Sequence, residues 1–210
     1  MSSAPEIDCR PNGPLKVTNL AELRNSKGER LPTEPAVFLC RCGGSANKPF
    51  CDGTHKKNGF SGAKVSDGKA DRLRHYEGRA ITIHDNRAIC AHAGICTDTL
   101  AAVFKYGSKP WIDPDGADAQ AVIDAVRKCP SGALSYSVAE AEAPVAPRPP
   151  SITVTKDGPY AIVGGIGLAN EPRGEGASTE HYTLCRCGAS KNKPFCDGSH
   201  WESKFKDEKN

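Results

Sequence analysis

Two stretches of the chain, CRCGGSANKPFCDGTH at 40–55 and CRCGASKNKPFCDGSH at 185–200, each hold three thiols and one imidazole in the spacing C-x-C-x8-C-x3-H. Thiolate and imidazole are ligands of zinc and of iron-sulfur centres. Cys40 and Cys42, two apart on a strand, would point to one face and leave Arg41 on the other. Cys51 and His55, four apart on a helical turn, would share one side, with Asp52-Gly53 suited to open that turn. The spacing predicts that the four converge. Four such ligands satisfy tetrahedral zinc, but common zinc sites use two knuckles of the C-x2-4-C or H-x3-5-H kind, which this pattern lacks. Mixed Cys/His ligation is also found at 2Fe-2S centres, so the residues favour iron-sulfur and keep structural zinc as the alternative.

A second set of thiols lies between these stretches. Cys90 and Cys96 bracket CAHAGIC, and Cys129-Pro130 follows much later. Ferredoxins use C-x2-C-x2-C followed at a distance by C-P; here the outer two cysteines keep that register and Ala93 stands at the second position. Three thiolates suit a 3Fe-4S cluster. A 4Fe-4S cluster would need a fourth ligand from water, a partner or His92, which is one residue out of register, and buried thiols without a cluster are the remaining reading.

The run C-x-C-x2-S-x3-P-x-C-D-G-(T/S)-H, present at both ends, resembles the CDGSH iron-sulfur family, which includes the mitoNEET-type proteins. That resemblance implies a 2Fe-2S cluster held by Cys40, Cys42, Cys51 and His55, and another held by Cys185, Cys187, Cys196 and His200. In each, one iron would have two thiolates and the other a thiolate and an imidazole. Single-copy members resemble homodimers with two clusters, so a tandem chain implies an intramolecular pseudo-dimer. The segment around Cys90, Cys96 and Cys129 resembles the divergent single-cluster ferredoxin-like domains. Neutral imidazole in place of a thiolate makes a cluster less negative and raises its potential, and it makes potential and retention depend on pH. Asp52 and Asp197 are expected to cap the motif turn. Ser45, Ser190, Lys48 and Lys193 stand where they could donate to cluster sulfur or offset its charge.

These side chains must be positioned by elements that the sequence outlines. A shift of 145 positions sets Gly13-Pro14 on Gly158-Pro159, Cys40 on Cys185 and Phe60 on Phe205, so the two ends are copies of one module. Short β-branched runs such as GPLKVTNL and GPYAIVGG predict small strands and turns over 10–66 and 152–210. Residues 74–138 read as an α+β insert. It has a strand at AITIHD, a short helix at TDTLAAVFKYG, an extended KPWIDP, a helix at DAQAVIDAVRKC and a closing strand at ALSYSV. Residues 139–151 read as a Pro/Ala-rich linker. The expected fold class is α+β, small and multi-module. Cys9, whose repeat counterpart is Val154, reads as an apolar strand position, and His75, His84 and His181 as surface or locally hydrogen-bonded residues.

Composition agrees with cofactor-held modules. In 210 residues there are ten Cys, 21 Gly and 16 Pro, aromatics are 6%, and mean hydropathy is −0.50, which argues against one large apolar core as the organising feature. MSSAPEIDCR has no basic region followed by an apolar run, and no stretch is long enough to span a bilayer, so a cytoplasmic protein without membrane insertion is expected. In a reducing compartment ten closely spaced thiols read as metal ligands rather than disulfides. A net charge of +3, from 28 Lys plus Arg against 25 Asp plus Glu, is too balanced to imply a nucleic-acid surface, and no nucleic-acid partner is expected. No nucleophile-base pair or phosphate loop accompanies the thiols, so no catalysis by this chain alone is expected. The function expected is electron transfer with a redox partner protein. Cluster storage or transfer to an apo-acceptor, or redox and pH sensing, is the alternative.

Overall fold

The computed structural model describes residues 4–65, 71–138, 141–142 and 148–210. The first copy contributes β1 (Glu6–Cys9), β2 (Leu15–Thr18), β3 (Leu23–Arg24) and β4 (Ala36–Leu39). The insert contributes β5 (Arg74–Glu77), β6 (Thr82–Asp85), α1 (Ile95–Thr99), α2 (Ala119–Arg127), β7 (Leu134–Val138) and β8 (Ala141–Glu142). The second copy contributes β9 (Ser151–Val154), β10 (Tyr160–Val163), β11 (Gly167–Ala169), β12 (Tyr182–Leu184) and α3 (Ser199–Glu202). The protein is strand-rich with short helices, as the α+β reading expects.

The two copies are not separate bodies. One sheet runs β11-β1-β2-β4 and another β12-β10-β9-β3, so each holds three strands of one copy and a single strand of the other. The exchanged strands pair in parallel, Ile7 beside Leu168 and Leu23 beside Ile152, and the two exchanges are equivalent under the 145-residue shift. A copy of about sixty residues is too small to bury much apolar surface alone. Alternation solves this jointly: Leu15 and Val17 of β2 point inward while Lys16 and Thr18 are partly exposed. Ile7, Leu15, Val17, Leu23 and Leu39 then merge with Ile152, Val154, Tyr160, Ile162 and Leu184 into one core. Each such fully buried side chain contributes about 1.5–3 kcal/mol.

The insert forms its own antiparallel sheet, β5-β6-β7-β8, with α2 packed on β7. Asp118 caps α2 by accepting from Ala121 N at 3.0 Å, and Val122, Ala125 and Val126 form its buried face at i, i+3 and i+4. The helix expected over 97–107 is shorter and earlier. It ends at Thr99 because Val103 and Phe104 are needed in the insert core, where Phe104 pairs across a bridge with Ile112. Strand β5, RHYE, was not expected because its polar sequence lacks an apolar alternation. In the stretch 139–151, Ala141–Glu142 extend the sheet as β8 and Ser151 opens β9, while 139–140 and 143–147 lie outside the described residues. Among the described residues no helix is long and apolar enough to cross a membrane.

Candidate metal centres

Each motif is presented by a loop and a short turn. Strand β4 ends at Leu39 and β12 at Leu184, so Cys40, Cys42, Cys185 and Cys187 lie in the loops just beyond the strands, not on strand faces as the spacing predicted. The approach of the side chains is nevertheless close. Cys40 Sγ is 3.6 Å from Cys42 Sγ, and Cys185 Sγ is 3.7 Å from Cys187 Sγ. Cys51 Sγ lies 3.4 Å from His55 Nδ1, and Cys196 Sγ 3.5 Å from His200 Nδ1. Two thiolates bound at about 2.3 Å to one tetrahedral metal stand about 3.8 Å apart, and a thiolate with an imidazole nitrogen about 3.5 Å. Every pair therefore has the separation of two donors on one metal atom. Among the described residues, no three His, Cys, Asp or Glu donors gather around a single ion position. The motif is geometrically two pairs, not one four-donor point.

The loops are held by their own polar groups. Cys40 N donates to Pro49 O at 2.7 Å and Cys185 N to Pro194 O at 2.8 Å. Asp52 accepts from Thr54 N at one carboxylate oxygen and from Ala46 N at the other, and the Thr54 hydroxyl, followed by these backbone donors, holds its carboxyl well below the usual range. Asp197 repeats the pattern with Ser199 N and Lys191 N; Gly53 and Gly198 stand at the N-cap positions, and the aspartates expected to cap the turn stand one residue earlier and tie the thiol loop to it. The hydroxyls of Ser45 and Ser190 donate to Phe50 O and Phe195 O, and the ammonium groups of Lys48 and Lys193 to Ser45 O and Ser190 O. These groups are engaged with loop backbone, so of the two roles open to them the hydroxyls and ammonium groups here brace the loop that carries the thiols.

Sequence reasoning missed the residues that fasten each loop to the body. Arg41 is buried, with Nε donating to Gly13 O at 2.7 Å and Nη2 to Arg10 O at 2.6 Å. Arg186 makes the equivalent bonds to Gly158 O and Thr155 O and adds a buried ion pair with Asp207. Tyr160 joins the copies: its hydroxyl donates to Cys40 O at 2.7 Å and is 3.1 Å from Pro49 O. The C-x-C spacing, with Arg between, was the available signal for the first two; nothing local marks Tyr160, whose repeat counterpart is Leu15.

Burial sets the protonation of the thiols. It pushes Cys40 up and Cys196 up to about 12. In the second copy Cys185 is pushed up because it donates to Cys187, whose own value the same bond holds down. Burial lowers His200, which favours the neutral, metal-binding imidazole. Such a donor set fits a cationic metal centre that displaces thiol protons on binding.

Cys90, Cys96 and Cys129 all line one cavity of about 690 Å³, together with Arg87, Trp111 and Ser131 of the insert. Burial raises Cys90 to about 11 and raises Cys96. His92 also lines the cavity, and its backbone N–H points to Cys90 Sγ at 3.4 Å. The far wall belongs to the second copy: Asp197, Gly198, Ser199 and Trp201. The structure thus brings the three middle thiols to one cavity beside the second motif. Cys9 ends β1 and packs half-buried on the shared core, as its match to Val154 implied. His75, His84 and His181 are locally hydrogen-bonded, one of the two roles expected, with His84 buried between His75 and Ser137 and His181 buried against Ser178 and Glu180.

Comparison with known proteins accounts for all three modules. The family model described as an iron-binding zinc finger of CDGSH type matches residues 12–56 and 157–201, two stretches related by the same 145-residue shift. The chain carries two CDGSH iron-binding domains. A model described as a divergent 4Fe-4S mono-cluster domain matches residues 76–139, between the two CDGSH copies. The uncharacterized protein YjdI of Escherichia coli K12 is 43% identical over 63 residues, 30% of this chain and 83% of that protein, and YjdI of E. coli O157:H7 matches to the same extent. No solved structure matches the chain. The CDGSH chain is therefore built from domains of iron-sulfur families, with a divergent mono-cluster domain inserted between tandem copies.

Proposed function

We propose that this CDGSH protein is a multi-cluster electron carrier, a cytoplasmic monomer arranged as an internal pseudo-dimer. Cys40, Cys42, Cys51 and His55 would hold one 2Fe-2S cluster and Cys185, Cys187, Cys196 and His200 another. Cys90, Cys96 and Cys129 would hold a third cluster of 3Fe-4S type, or of 4Fe-4S type if a fourth ligand completes it. The observation that carries the reading is the division of each motif into a Cys/Cys pair and a Cys/His pair, each spaced for one metal atom, with no three-donor point between them. A binuclear cluster asks for that arrangement, whereas mononuclear zinc asks for four donors around one point. Clusters so held would supply reversible one-electron chemistry, in loops whose backbone is already paired.

Anaerobic purification with iron, sulfide and zinc analysis, and EPR of oxidised and reduced samples, tests this directly. Iron and sulfide near equivalence, with new paramagnetic signals on reduction, are expected; colourless protein with stoichiometric zinc would overturn it. His55→Cys with His200→Cys should lower the potential, and an unchanged potential would remove histidine from the ligand set. One observation favours cluster donation as a second reading: the Cys51/His55 turn is only partly buried, while Cys196 and His200 are buried, so the first site is open to an acceptor.

A further inference from the structure

The two CDGSH copies are near-identical in motif and unlike in surroundings. On the second copy the face of the Cys/His turn is occupied by the mono-cluster insert. A Cβ on Gly198 would meet His92 Cβ at 2.8 Å, Trp201 Nε1 donates to His92 O at 3.3 Å, and Asn192 Nδ2 donates to Ala88 O at 2.7 Å. Under the 145-residue shift these three residues correspond to Gly53, Lys56 and Asn47 of the first copy. There, a Cβ on Gly53 would meet nothing within 4 Å, and Asn47 and Lys56 are exposed, where Asn192 is 5% exposed. The insert packs against this face in the second copy at Gly198 and Asn192, with Trp201 still 66% exposed at its edge, and nothing equivalent meets Gly53 and Asn47 in the first.

The substitutions at the open face also change its charge. Trp201-Glu202 is replaced by Lys56-Lys57, both exposed. Lys209 adds a third ammonium group, since its Nζ donates to Ala46 O of the same motif loop at 2.9 Å. Asp52 is the single carboxylate of the turn, and it is already engaged by Ala46 N and Thr54 N. We propose that the Asp52–Lys57 turn of the first copy is a docking face for an external acidic electron-carrier protein, seated where the mono-cluster insert sits on the second copy. The chain carries its own template for the contact: an iron-sulfur module packed on a CDGSH turn. The basic rim selects a partner of opposite charge, which accelerates encounter and weakens with salt.

This inference rests on the electron-carrier reading, and binding can be measured apart from it. The cluster-loaded chain is titrated with an acidic 2Fe-2S ferredoxin by calorimetry at about 20 mM and about 200 mM salt. Lys56→Glu/Lys57→Glu is compared with Lys109→Glu/Lys128→Glu, the same charge change on the exposed surface of the insert. The rim variant should lose affinity by on the order of tenfold at low salt, and the insert variant should retain it. Hydrogen exchange of the wild-type complex should show protection at 52–57 and none at 197–202. Absence of salt-dependent binding, equal losses in the two variants, or protection at the second turn would overturn the docking face. Absence of iron, or of reducible signals, would instead remove the electron-carrier reading.

Discussion

At the scale of residues, the two repeat arginines show how copies with the same ligand motif differ in what holds them. Arg186 and its partner Asp207 are both almost fully buried, and Phe205 stacks on the guanidinium at 4.8 Å. At the position equivalent to Asp207 the first copy has Gly62, and Arg41 Nη1 has no hydrogen-bond partner among the described residues. Removing one member of a buried pair leaves an uncompensated charge. Asp207→Ala should therefore cost about 3–5 kcal/mol in chemical denaturation. Asp85 of the insert supplies a pH dependence. It is fully buried, one oxygen accepts from Trp111 Nε1 at 3.2 Å and the other has no hydrogen-bond partner among the described residues. Burial raises it from 3.8 to about 6, against the pull of Arg87 and Trp111. The folded chain thus holds a proton that the unfolded chain has released between about pH 4 and pH 6. Asp85 stabilises fully below that window, and stability falls as pH rises through it, by on the order of 3 kcal/mol. Asp85→Asn should flatten this fall in denaturation curves taken across the window; a slope unchanged by the substitution would contradict the assignment.

At the scale of elements, the two motif loops lean on one another. Gly43 and Gly188 both have positive φ, 76° and 82°, and a Cβ on Gly43 would meet Cys187 O at 2.3 Å while one on Gly188 would meet Cys42 O at 2.6 Å. Each glycine permits the backbone of the other copy to approach beside a candidate ligand. Gly188→Ala should consequently lower iron per chain at both CDGSH motifs, as metal analysis and site-selective thiol alkylation would show; a loss confined to the second motif would mean the loops are independent. The motifs and helix α2 were legible because their information is local: a fixed spacing, a cap at Asp118, a 3.6-residue apolar face. The loop position of Cys40 and Cys42 was not, because spacing of two fits a bend as well as a strand. Strand β5 was hidden by its polar residues, since pairing with β6 supplies its order, with His75 opposite His84. The parallel exchange of β3 and β11 had no local signal. Two-residue and three-residue strands acquire their identity only from the partner they meet.

At the scale of the whole molecule, the exchange makes the two copies one folding unit. Strand β9 is flanked by β10 from its own copy and by β3 from the other, and Ile152 and Val154 pack among Ile7, Leu15 and Leu23. A fragment comprising residues 148–210 would retain β9 to β12 and lose β3, the strand that covers the β9 edge. Its inward side chains would face water across a large apolar area, which a chain of that size cannot tolerate as a stable monomer. The repeat offers a specific remedy. Strand β11 is the counterpart of β3, and in the full chain it pairs in parallel with β1, the counterpart of β9. Two fragments can therefore each donate β11 to the other's β9 and rebuild both sheets by a two-fold exchange. The expected outcome is a fragment whose circular dichroism and sedimentation show coupled folding and dimerisation, with a midpoint that moves with concentration. A fragment that is folded and monomeric at micromolar concentration would show that strand exchange is dispensable. The tandem arrangement would then serve only to tether two self-sufficient domains. Concentration-dependent dimerisation would instead assign the tandem link a definite physical role: it converts a bimolecular assembly into an intramolecular one, and so allows the copies to diverge until the insert packs against one Cys/His turn and not against the other.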